Sequence, residues 1–143
     1  PGQKSHIDGP CSRFFIRRLS SGRLLMINHY KFSHRIDLDD IMRQGNVKRW
    51  QGRSHLTAML SEDDGATWPY TLLLDERDEV SYPDAKEADD GYIYVTYDHQ
   101  RVTKREILMA RFTEQDILAG RLQSSRSTLR ILVNKALGQP DIH

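Results

Sequence analysis

Three arginines (Arg13, Arg35 and Arg53), two histidines (His29 and His99), two aspartates (Asp84 and Asp98) and Tyr82 are the residues of this chain best suited to act on a charged small molecule. Paired guanidinium groups grip a carboxylate in a two-pronged fork, so a ligand bearing an acid group fits the arginines. Asp84, Asp98 or His99 could move a proton, provided one of them stands within hydrogen-bond reach of the reacting atom. Asp37, Asp39 and Asp40 cluster at the start of a helical pattern, where acids serve the helix dipole, and no metal or cofactor is expected.

Short apolar runs must position these groups. Phe14 to Ile16 leads to Leu19, Ser20-Ser21-Gly22 turns the chain, and Arg23 to Asn28 returns, which is a hairpin signature. After a polar stretch over residues 29–53 come a third run, His55 to Leu60, and a fourth, Tyr70 to Leu74. The grammar then restarts. Tyr82 to Glu87, the turn Asp89-Asp90-Gly91, Tyr92 to Tyr97, Glu106 to Phe112 and Leu129 to Val133 form a second series of four. Four antiparallel runs in series are the unit of a propeller blade, and the repeat predicts two of them, 12–75 and 80–133, within a partial propeller spanning 1–143. Two short helices are expected as insertions: 37–45, and 113–120 with a capping Thr and a terminal Gly.

The most specific motif is Ser61-Glu62-Asp63-Asp64-Gly65-Ala66-Thr67-Trp68, which fits Ser-x-Asp-x-Gly-x-Thr-Trp at every defined position. Asp63 can accept turn amide protons, Gly65 allows a positive φ, and Trp68 is expected to bury its ring between blades. Its role is structural, joining a third strand to a fourth. With this turn at one end of the blade, strand polarity collects Arg13, His29, His34, Arg35, Arg53, Tyr82, Asp98, His99 and Arg101 at the opposite end.

The motif resembles the Asp-box of sialidases and related BNR-repeat propellers. Tyr82 to Ile93 is similar to the segment that carries the sialidase nucleophilic tyrosine, and Arg53-Ser54-His55-Leu56-Thr57 to the site of the third carboxylate-binding arginine. The resemblance covers roughly residues 12–112 and includes Arg105-Glu106-Ile107-Leu108-Met109-Ala110-Arg111-Phe112-Thr113-Glu114, an ending found in bacterial sialidase-like proteins. It implies an all-β fold of about two four-stranded antiparallel blades from a six-bladed propeller. It also implies Tyr82 as a catalytic residue and Arg53 on the substrate; the reading of the residues themselves adds Asp84 and His29 to the catalytic group and Arg13, Arg35, Asp98 and His99 to the substrate-binding one.

The family pattern places a tyrosine-activating glutamate and a second arginine where this chain has Arg13 and His29. The expected activity is therefore that of a sialidase-related glycoside hydrolase on an acidic or substituted sugar, not a classical sialidase. The alternative is a non-catalytic carbohydrate-binding or interaction propeller.

A formal net charge of +1 gives no field that points to nucleic acid or a membrane as partner. The expected partners are a carbohydrate and, on the open faces of a two-blade unit, further blades of a parent chain or another copy. The single Cys11 excludes an intramolecular disulfide framework and is compatible with a periplasmic or secreted location.

Overall fold

The computed structural model describes residues 5–32 and 52–138; Arg35 and the helix expected at 37–45 lie outside them. Among the described residues the fold is all-β, with two four-stranded antiparallel sheets and one short helix. The first sheet runs β1 (Phe15–Arg18), β2 (Leu24–His29), β3 (Leu56–Ser61) and β4 (Tyr70–Asp75) in simple meander order. The second repeats it with β5 (Val80–Glu87), β6 (Tyr92–His99), β7 (Glu106–Thr113) and β8 (Thr128–Lys135). Each of the eight runs read from the sequence becomes a strand.

The first hairpin of each sheet is built alike. Leu19 N donates to Arg23 O at 2.8 Å in one, and Ala88 N to Tyr92 O at 2.9 Å in the other. Gly22 (φ 92°) and Gly91 (φ 79°) take the left-handed position that such three-residue loops require. Matching turns in matching places are the structural form of the sequence repeat.

Strand alternation sorts the side chains. Leu25 and Ile27 of β2, with Leu56, Ala58 and Leu60 of β3 and Leu72 and Leu74 of β4, point to one face. They pack against Ile93, Val95, Tyr97, Leu108, Ala110 and Phe112 of the second sheet in one shared core. Contacts of β1 with β5 and of β4 with β8 show the sheets stacked first strand on first and last on last, as successive blades are. Fully burying each Leu or Ile here is worth about 1.5–3 kcal/mol. A polar staple crosses the same interface: the Tyr97 hydroxyl donates to Asp75 Oδ2 at 3.0 Å, and burial, followed by the nearby Asp75 charge, pushes that phenol well up.

The helix α1 (Glu114–Ala119) follows β7 and touches β3 and β4 of the first sheet. Thr113 is its N-cap in a capping box with Asp116, and Gly120 ends it in the left-handed conformation.

The Asp-box tryptophan lies on the first sheet alone. The Trp68 ring is half-buried beside Met26 and Met59, which are cross-strand partners. Their neighbours Leu25, Ile27, Ala58 and Leu60 face the shared core, so Trp68 covers the outer face of the first sheet and does not sit between the two sheets.

Candidate functional site

The strands present two opposed ends. Ser61 closes β3 at one of them and leads into the Asp-box. There the Ser61 hydroxyl donates to Asp63 Oδ1 at 2.7 Å and accepts from Gly65 N at 2.8 Å. Asp63 also accepts from Thr67 N at 2.8 Å and from the Thr67 hydroxyl at 2.6 Å. Thr67's side-chain and backbone donors, then Ser61, hold the Asp63 carboxyl down to about 2. Ser61, Asp63, Gly65, Thr67 and Trp68 form a closed local structure at this end.

The other end lies where β3 begins, β4 hands over to β5, and β6 turns into β7. Val80 N donates to Arg53 O at 3.0 Å, which ties the start of β5 to the residues ahead of β3. The β5–β6 register slips between Ser81 and Asp84, so a bulge falls on Tyr82, which has a φ of 56°. Bulges re-aim side chains, and here Tyr82 is 39% exposed while its neighbours Ser81 and Pro83 are buried. The Arg101 guanidinium carbon stands 4.0 Å from the Tyr82 ring centroid and that of Arg53 stands 5.6 Å away. Both distances fall within the cation–π range. Beside them opens a pocket lined by Arg53, Glu79, Ser81, Arg101 and Val102.

Unusual backbone gathers here as well. His55, Glu79, Tyr82, Gln100 and Arg105 all have φ between 47° and 60°, and all belong to this end of the two sheets. Such conformations cost free energy in residues other than glycine and persist where the surroundings over-determine them, which is common at binding sites.

Arg53 and Tyr82 come together. Arg53 is buried and donates from Nη2 to the Cys11 carbonyl, while Tyr82 is open. Asp98 is buried, accepting from the Ser81 hydroxyl at 2.6 Å and from Arg101 Nε at 2.8 Å. The hydrogen bond that Arg101 donates to Asp98 is the leading cause that raises the Arg101 guanidinium above its usual value.

His99 is also buried, and its Nδ1 donates to Glu106 Oε2 at 2.8 Å, which lowers the Glu106 carboxyl. His29 is buried with Nε2 donating to Val80 O at 2.8 Å, a link from β2 to β5. Neither ring is open to the pocket surface. Asp84 is exposed and accepts from its neighbour Ala85 N at 3.1 Å. Arg13 is exposed ahead of β1.

Sequence reasoning collected Arg101 at this end but did not pair it with Tyr82, and it did not single out Glu79 or Ser81. The Asp98-x-x-Arg101 spacing is a weak cue to the ion pair. The left-handed backbone at Glu79 and Tyr82 left no cue in the residue types.

A family model for the BNR repeat-like domain matches residues 3–95, well over half of the chain. The chain belongs to this family. The matched span holds the Asp-box, Arg53 and Tyr82, and it ends just before Asp98 and Arg101. No curated protein and no solved structure matches the chain. Membership places this BNR repeat-like chain among sialidase-like proteins at the level of the superfamily.

Proposed function

We propose that the end carrying Arg53, Tyr82 and Arg101 recognises an acidic carbohydrate, as a binding surface and not a hydrolytic centre. The observation that carries this reading is the tyrosine flanked by two guanidinium groups at the edge of a pocket they help to line. A guanidinium offers five donors in a planar fork matched to a carboxylate, and an aromatic face suits the C–H face of a sugar ring. Membership of a sialidase-like superfamily agrees with a glycan as the ligand class.

Among the described residues hydrolysis is without the partners it needs. Retaining glycosidases need a nucleophile and an acid/base carboxyl, and a tyrosine nucleophile needs a base within hydrogen-bond reach. Among the described residues no carboxylate hydrogen-bonds the Tyr82 hydroxyl, and the nearby Asp98 is held by Ser81 and Arg101. This favours the non-catalytic alternative over the hydrolase.

Titration of the full chain with glucuronate and with neutral methyl glucoside, followed by amide NMR, tests the reading. Saturable shifts with glucuronate alone are expected around Arg53, Ser81–Tyr82 and Arg101–Val102, together with no turnover of an α-sialoside reporter. Equal response to the neutral sugar, or shifts confined to the Asp-box end, would overturn it.

A further inference from the structure

Building on the acidic-sugar reading, we propose that Asp98 is a positioning residue, which with Ser81 fixes Arg101 as the guanidinium that selects for a carboxylate-bearing sugar. Ser81 and Asp98 are cross-strand partners in β5 and β6, immediately ahead of the bulge that re-aims Tyr82. Both are buried, with 4% and 7% exposure. The Ser81 hydroxyl donates to one carboxylate oxygen of Asp98 at 2.6 Å. The other oxygen accepts from Arg101 Nε at 2.8 Å and from Arg101 Nη2. One edge of the guanidinium is therefore clamped, its plane lies against Tyr82, and the side chain as a whole remains 49% exposed.

Pairing with Arg101 answers the charge of the buried Asp98 carboxylate, while the arginine side chain itself stays half-exposed. The consequence of that pairing is geometric. Arginine is long and loses rotamer freedom when it grips a ligand, and a carboxylate that holds Nε in advance removes much of that loss. The bulge and the clamp start from the same two residues, so the ring and the guanidinium that meets it are positioned together. Asp98 acts through Arg101 and does not itself touch the ligand.

The test uses the full chain, glucuronate as probe, and the Arg101 Nε–H NMR signal as a readout that needs no ligand. Wild type should show a protected Nε–H signal and bind glucuronate. Asp98→Asn should lose that protection and bind about tenfold more weakly, the size expected when a charge-assisted hydrogen bond is lost. Ser81→Ala, which removes only one hydrogen bond, should weaken binding by about threefold, and it keeps the test decisive if Asp98→Asn does not fold. Wild-type affinity in both variants, with the Nε–H signal changed, would overturn the positioning role and leave the acidic-sugar reading standing. A wild-type chain that shows the protected signal but binds no glucuronate would instead sink the acidic-sugar reading, and this proposal with it.

Discussion

The two sheets solve one problem in two ways. Each must join its third strand to its fourth, and each centres that connection on a single aspartate. In the first sheet Asp63 gathers Ser61 and Thr67 from an eight-residue turn and stays exposed. In the second, Asp116 on α1 is fully buried and gathers donors from a far longer stretch. Oδ2 accepts from Thr113 N at 2.8 Å and from the Ser127 hydroxyl at 2.6 Å, while Oδ1 accepts from Gln123 N at 2.6 Å. Burial pushes the Asp116 carboxyl up, but Ser127 and the backbone donors outweigh it and the net shift is downward. A short turn can be tied by an exposed carboxylate at its surface. A helix and a returning loop need one at their centre.

If that account holds, losing the buried hub should do more damage. Asp116→Ala leaves several buried donors without an acceptor and should cost about 2–3 kcal/mol, read as a lowered denaturant midpoint. Asp116→Asn should recover little, because its amide nitrogen would face donors at one of the two positions. A midpoint unchanged in both variants would show that the 113–127 connection is held by packing alone.

The next effect is at Gly65, whose φ is 91°. A Cβ added there would meet Trp68 at 3.6 Å and Leu24 at 3.7 Å, both ordinary contacts, so the cost is conformational and not steric. Gly65→Val should destabilise by about 1–2 kcal/mol, and Gly65→Asn by less because asparagine tolerates left-handed backbone. Thermal melts of the two variants should rank in that order. Equal melts would mean that the turn adopts another conformation when glycine is lost.

The same contrast explains what was legible in the sequence. The Asp-box could be read because its partners are contiguous, and the strands because apolar runs and Gly turns repeat. Asp116 was visible only as an acid in the first turn of a short helix, since Gln123 and Ser127 become its partners only after the chain folds back. The candidate site divides in the same way. Arg53 and Tyr82 stand in recognisable segments, and strand polarity alone brings them to one end. The bulge at Tyr82 and the Ser81–Asp98 clamp depend on β5–β6 register, which residue types did not specify. His29 and His99 show the converse: their residue type suggested chemistry, and their rings are buried in structural hydrogen bonds.

The smallest effect expected is in acid. The Asp63 carboxyl is held at about 2 in the folded chain, against an ordinary value near 4 when unfolded. A depressed carboxyl adds stability that is fully present above about pH 4 and is lost as pH falls toward 2, because the unfolded chain takes up the proton first. Asp116 is shifted in the same direction, so both connections contribute to the acid limb. Asp63 is exposed, and solvent screens its share, so the Asp63→Asn variant should be less stable than wild type at pH 6 by only a small margin. The decisive measurement is the slope. Between pH 4 and pH 2 the urea midpoint of wild type should fall more steeply than that of Asp63→Asn, and the two curves should converge near pH 2. Parallel curves over that range would mean that Thr67 and Ser61 hold the neutral acid as well as the anion, and that the turn depends on its shape and not on the charge of Asp63.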